Sequence, residues 1–372
     1  EIRPRDWSSD VCSSDLVAVL TLRNLSGNDE TRWIGTALGE TISADLRAAD
    51  TVRVIPGERV VTMSRDLDLL DTEAYTANTL NRFRGILGCD LVVTGAYLVS
   101  GDRVRADLRI QDARTGELVS SVSETGAVAD LIDLTSKLGG RLRPVLGLSN
   151  SDSRRGEART VLPASADAAR LYAAGLARLR AFEPAGARPL LERAAVAEPD
   201  NALIHLALSR TWSALGNRAR ATAEAQRALD LALGLPWENR LAIEGRHAEL
   251  SGNQAGAIDA YAKLLTQHPD DLDAGLQLAA ARRAAGKPRD ALGTIDTLRK
   301  LPPPLGDDAR LDLEEASTWQ AMSDAPKALA AAARGVARAD ASGSRLLLAR
   351  AVQHQGIGAD PQRRLRAGQS LG

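Results

Sequence analysis

From residue 17 to 22 the chain reads Val-Ala-Val-Leu-Thr-Leu, a nearly unbroken apolar run that predicts a strand covered on both faces. Turn and cap chemistry follows at 24–29 (Asn-Leu-Ser-Gly-Asn-Asp). The apolar period then changes. Ile34, Leu38, Ile42 and Leu46 recur at helical spacing, with Trp33 and Ala37 beside them. A short strand is expected over 52–55, closed by Pro56-Gly57, then two helices over 58–70 and 73–87, the second capped by Gly88. Residues 91–99 form an apolar strand, and Ser100-Gly101-Asp102 supplies a hairpin turn. Beyond it Val104, Ala106, Leu108 and Ile110 alternate with Arg103, Arg105, Asp107, Arg109 and Gln111, one dry face and one wet. A third strand over 117–123 and a helix over 128–146 complete the order β-α-β-α-α-β-β-β-α. This predicts an α/β domain with a mixed sheet, assigned to residues 17–148.

Residues 149–157 are small, polar and unpatterned, and 149–164 are assigned as a linker. From Ser165 onward the pattern is helical and self-similar. With Ala168 as position 1 of a repeat of about 34 residues, positions 8 and 20 are Gly175 and Ala187, and the next copies give Ser209 with Ala221, Gly245 with Ala257, Ala279 with Ala291, and Ala316 with Ala328. Trp212 and Trp319 share position 11, and Gly216, Gly252 and Gly286 mark turns. These features resemble tetratricopeptide repeats, whose small residues let paired helices approach closely. About five repeats and a capping helix over 344–353 are expected within 165–355, followed by a polar tail over 356–372.

Three motifs of the first domain occur in the order of another family. The opening Val-Ala-Val-Leu-Thr-Leu-Arg-Asn-Leu-Ser-Gly (17–27), Leu-Gly-Cys-Asp-Leu-Val-Val-Thr-Gly (87–95) and the turn Asp-Ala-Arg-Thr-Gly-Glu (112–117) resemble the TolB-like amino-terminal domain. The match covers about 130 residues and departs at Thr21-Leu22-Arg23, where the family usually has Pro-Phe before the Asn. The resemblance implies an α/β TolB-like domain followed by an all-α tetratricopeptide solenoid, with an interaction or sensor role and no catalytic residues. Such domains precede repeats in bacterial proteins, often downstream of a serine/threonine kinase or a winged-helix domain. The expectation is therefore the C-terminal regulatory part of a truncated signalling protein such as a kinase. A winged-helix regulator and an envelope-assembly or secretion factor are the alternatives. The kinase-linked members imply a membrane span before Val17 and an extracytoplasmic fragment, a cytoplasmic one being the alternative. The first residues have a different character: 6–16 resemble a sequencing adapter translated in frame, and 1–16 are assigned as an artefactual leader.

Composition narrows the chemistry. The 372 residues hold 47 basic and 48 acidic side chains, a net charge of −1, which gives no global pull towards nucleic acid or an acidic membrane surface. Aromatics are 3%, which suits helices packed through Ala and Leu. No apolar run approaches the roughly 18 residues of a membrane span. Cys89 stands at the entry of an apolar strand, where a small buried hydrophobe is expected. No phosphate loop, kinase motif or nucleophile elbow occurs. His205, His247, His268 and His354 lack metal-ligand spacing; His205 is expected to be packed and His268 solvated. Asp270-Asp271, Asp307-Asp308 and Glu314-Glu315 read as helix N-terminal charge. No catalytic residue, cofactor or metal is therefore assigned.

One constellation points to a ligand. In this repeat class positions 2, 5, 9, 12 and 13 line the groove. Arg180 falls at position 13, Arg210 and Arg246 at 9, and Arg283 at 12, with Leu206, Leu276 and Leu313 at position 5 as an apolar floor. Guanidinium forks bind carboxylates bidentately, so the expected partner is a protein or peptide, with an acidic segment or a C-terminal peptide as the candidate ligand.

Overall fold

The computed structural model describes residues 15–47, 52–67, 75–146, 162–344, 347–349 and 351–352. The leader up to residue 14, the linker over 149–161 and the tail lie outside the described residues, as do several positions of the expected capping helix, whose Ala351 is buried.

The first part runs β1 (Asp15–Val19), β2 (Arg23–Asn24), α1 (Trp33–Arg47), β3 (Val52–Val54), α2 (Gly57–Asp66), α3 (Ala77–Leu87), β4 (Leu91–Ser100), β5 (Arg103–Asp112), β6 (Leu118–Ala127) and α4 (Leu131–Val145). β1 begins two residues inside the segment assigned to the leader. It ends at Val19, where Leu20 N–H still donates to the Val93 carbonyl and β2 then continues the pairing with β4. The sheet is mixed, in the order β3-β1-β4-β5-β6, parallel on its first side and antiparallel through β4, β5 and β6. The unbroken apolar run follows from this position. Val17 and Val19 enter the core shared with α1 and α4, while Ala18 and Leu20 enter the core under α2 and α3. Val104, Ala106, Leu108 and Ile110 are buried along the dry face of β5. Gly35 lets α1 touch the sheet, since a Cβ there would lie 2.7 Å from the Leu22 carbonyl; Gly39 faces open space.

The helical part is a series of five hairpins among the described residues. They are α5 (Ala166–Arg180) with α6 (Pro184–Ala197), α7 (Ala202–Ala214) with α8 (Arg218–Asp230), α9 (Trp237–Ser251) with α10 (Gln254–Gln267), α11 (Leu272–Ala284) with α12 (Pro288–Leu298), and α13 (Ala309–Ala321) with α14 (Ala325–Ser342). Each hairpin also packs on the next, so these are tetratricopeptide-like repeats in a continuous stack. The repeat register is visible in the backbone. Position 15 of every hairpin has a left-handed φ: Phe182 at 58°, Gly216 at 76°, Gly252 at 82°, Gly286 at 72° and Ser323 at 61°. The residue that follows often caps the second helix, as Asn217, Asn253 and Asp324 do through their side chains.

The small positions lie where the helices meet. Gly175, Gly245, Ala187, Ala221, Ala257 and Ala291 are all buried. A Cβ on Gly175 would stand 2.6 Å from Leu191 Cγ, and one on Gly245 would stand 2.5 Å from the Tyr261 ring. Ala221 is fully covered, and its carbonyl accepts from Ser209 Oγ at 2.8 Å. Ala221→Leu is expected to overpack this crossing and cost about 1–3 kcal/mol in chemical denaturation. An unchanged unfolding midpoint would mean that position 20 is not a helix crossing.

The two parts share a core. Leu171, Tyr172 and Leu176 of α5 belong to the same buried cluster as Ile34, Leu38 and Ile42 of α1, and α1 packs directly against α5.

Candidate protein-binding groove

The first helices of the hairpins, α5, α7, α9, α11 and α13, include the four arginines picked out by the repeat register, and each arginine has a neighbour. Arg180 donates to Glu40 Oε1 of α1 at 2.7 Å, with both side chains largely buried. Arg210 pairs with Glu58 of α2 at 3.0 Å in a more open setting. Arg246 donates to Ser213 Oγ at 2.7 Å and lies 3.6 Å from Glu249. Arg283 holds Glu314 of α13 at 2.7 Å. Two of the four thus grip carboxylates of the α/β part, and two grip carboxylates or hydroxyls of the repeats. Burial works against the Glu40 anion, but Arg180 and Arg47 outweigh it and hold its carboxyl below the usual range. At Glu314 burial prevails over Arg283 and pushes the carboxyl up. Of the three leucines, Leu206 and Leu276 are half-buried against the cores of their hairpins. Leu313 is buried and turns towards α14, where a Cβ on Gly335 would lie 3.2 Å from it.

The opposite end of the same face is acidic, which the arginine pattern did not suggest. Arg53 of β3 pairs with Asp270, and Arg59 of α2 reaches Asp308 at 3.2 Å and Asp273 at 3.6 Å. Arg310 braces both carboxylates from within the stack, at 2.5 Å from Asp273 and 2.9 Å from Asp308. Burial opposes the Asp273 anion, yet Arg310 and Arg59 bring its pKa down to about 2, and the same pair lowers Asp308. What Asp273 contributes is therefore complete above about pH 3.9 and is lost as pH falls through about 2.

Asp271 and Asp308 do cap their helices, accepting from Asp273 N and Ala274 N and from Arg310 N, as the reading of helix N-terminal charge expects. Glu314 and Glu315 do not fit that reading: they sit inside α13 as ion-pair partners. Glu315 accepts from Arg299, Arg334 and Trp319. Beside it Asp312 is fully buried between Arg299, Arg334 and Arg338 at 2.7, 3.2 and 2.7 Å. Only the three-dimensional meeting of α12, α13 and α14 assembles this network.

Two of the clefts among the described residues lie along the repeats. One, of about 390 Å³, lies between the second and third hairpins and is lined by Ser213, Gly216, Arg218, Arg246, Glu249 and Leu250. The Arg246 Nε is buried there with no hydrogen-bond partner among the described residues. The other, of about 670 Å³, is lined in part by Leu233, Trp237 and Leu241, with Arg240 and Lys263 at its edge. His268 is stacked on Trp237 with ring centroids 5.6 Å apart, where the sequence reading expected a solvated ring.

The remaining titratable groups have structural partners. His205 is buried, with Nδ1 2.7 Å from Glu224 and Nε2 2.8 Å from the Pro199 carbonyl. Burial disfavours its charge, but these two bonds outweigh it and raise its pKa. Its contribution is complete below about pH 6.5 and fades as pH rises through the raised value. The stability gap between the native chain and His205→Gln should therefore be wider at about pH 6 than at about pH 9. A gap independent of pH would remove the ion pair from the account. Cys89 is fully buried, and burial pushes its thiol up to about 12. Among the described residues no cluster of three or more His, Cys, Asp or Glu could hold a metal, and no helix is long and apolar enough to cross a membrane.

No family model matches this chain, and no curated protein does. Among solved structures it is similar to a thermophilic tetratricopeptide repeat protein of Thermus thermophilus, at 17% identity over 50% of this chain and 98% of that one, with a TM-score of 0.41. It is also similar to a tetratricopeptide repeat protein of Parabacteroides merdae, at 13% identity over 60% and 83%, with a TM-score of 0.38. A third similar structure is MamA, at 15% identity over 45% and 95%, with a TM-score of 0.33. The repeat assignment rests on this chain's own hairpins: five turns with a left-handed residue at one register position, and small residues at each helix crossing.

Proposed function

We propose that this chain is a noncatalytic protein-binding and sensing module whose groove takes an acidic segment of a partner. The observation that carries this reading is the cleft at Arg246, where a guanidinium keeps an unmet buried N–H beside the Ser213 hydroxyl. A buried donor without an acceptor is unfavourable, and a carboxylate is the acceptor whose geometry suits an arginine fork. Arg210 and Arg283 flank this point on neighbouring hairpins and already hold carboxylates, so the surface is chemically suited to exchange Glu58 and Glu314 for those of a ligand. We further read the α/β part as TolB-like and the whole as the C-terminal regulatory region of a larger bacterial signalling protein, with a serine/threonine kinase as the upstream partner. The motifs at 17–27, 87–95 and 112–117 support that reading.

The test is a pull-down comparing the native chain with an Arg210→Ala, Arg246→Ala, Arg283→Ala triple variant. Charge-assisted bonds of this kind contribute on the order of 1.5–3 kcal/mol when desolvated and much less on an open surface. Capture should weaken with salt and fall sharply in the variant. Equal recovery by a variant with native circular dichroism would sink the groove reading.

A further inference from the structure

The groove face is not bare. The α/β part meets the first, second, fourth and fifth hairpins, and the charges at its two ends are of opposite sign. Towards α5 and α7 it presents Glu40 and Glu58 to Arg180 and Arg210; towards α11 and α13 it presents Arg53 and Arg59 to Asp270, Asp273 and Asp308. Reversing the seating would set like charges together at both ends, so the pattern prescribes one orientation. The two ends also differ in kind. At the first hairpin the attachment is apolar, through the cluster that holds Leu171, Tyr172 and Leu176 with Ile34, Leu38 and Ile42. At the far end the core under α2 and α3 and the core around α12 are separate clusters among the described residues. What spans them is the ion group, a contact at Gly88, where a Cβ would lie 3.1 Å from a Leu305 methyl, and the packing of α3 on α14, where a Cβ on Gly343 would lie 3.1 Å from Arg82.

We propose that the groove's resident occupant is the chain's own α/β part, welded to the first hairpin by its core and closed against the fourth and fifth by an ionic clasp centred on Arg59. This rests on the reading of the groove as the binding face. Glu40 and Glu58 then stand where the carboxylates of an incoming acidic segment would stand. Such a segment meets a groove whose open form is only a fraction of the molecules, so its apparent affinity is reduced by that fraction. Salt reaches the clasp mainly through the Arg53–Asp270 pair, whose carboxylate is half-exposed; the largely buried Arg59 pairs are screened much less.

The experiment uses the intact chain with Arg59→Gln and Arg59→Lys. Gln removes the cation, so tighter binding of an anion by this variant cannot come from added charge. Small-angle scattering should give Arg59→Gln a larger radius of gyration than the native chain, with Arg59→Lys close to native. A fluorescein-labelled deca-glutamate peptide should bind Arg59→Gln more tightly than the native chain, on the order of tenfold if about a tenth of native molecules are open. An unchanged radius for folded Arg59→Gln overturns the clasp. An expanded Arg59→Gln chain with no peptide binding in either protein leaves the clasp standing and removes the acidic-segment reading instead. Should Arg59→Gln lose its native circular dichroism, Arg53→Gln tests the same clasp through the more exposed partner Asp270, and an unchanged radius there overturns it equally.

Discussion

Asp312→Ala is expected to be among the most damaging single changes in the repeats, costing about 3–5 kcal/mol. The carboxylate is wholly removed from solvent and shared by Arg299 of the fourth hairpin and Arg334 and Arg338 of the fifth. Removing it leaves three guanidinium groups converging on an apolar gap. Arg299 and Arg334 keep Glu315, which softens the loss, but among the described residues Arg338 keeps the exposed Asp307 alone. Urea denaturation of native and variant chains measures the difference. A cost under about 1 kcal/mol would place this network with ordinary surface pairs.

Leu171→Ala is expected to cost about 2–5 kcal/mol, the range for emptying a well-packed aliphatic site. Leu171 is 2% exposed and lies in the cluster that joins the first hairpin to the α/β part. The cavity would therefore open in both at once. Its effect should appear in signals from the Tyr97 side of the sheet as well as in helical circular dichroism. A loss of helical signal alone, with the sheet unaffected, would mean that the two cores are independent.

The elements were legible in the sequence because their signals are local. The switch from continuous apolar run to helical spacing placed β1 and α1, the alternation at 103–111 placed β5 and its wet face, and the recurrence of small residues placed the helix crossings. The charged surface was not legible in the same way. Register put Arg180, Arg210, Arg246 and Arg283 on the first helices, which is where they lie, but their partners come from up to 152 residues away. Glu40 and Glu58 appear in sequence as ordinary polar positions of amphipathic helices. Asp270 and Asp308 appear as helix-start charge, which says nothing of their pairing with Arg53 and Arg59. A sign alternation along the groove exists only once the α/β part is seated, and no period in the chain encodes it.

The left-handed residue at position 15 of each hairpin has a consequence for how the stack comes apart. The three inner turns use glycine, which adopts that conformation freely; the two outer turns use Phe182 and Ser323, which do so at a cost of roughly 1–2 kcal/mol each. In an array whose stability is a sum over neighbours, a penalty at an end lowers the free energy of local opening there. The first hairpin is buttressed by its shared core with α1. Of the two costly turns the one at Ser323 is therefore the weaker, and amide exchange should be faster around Ser323 than around Phe182.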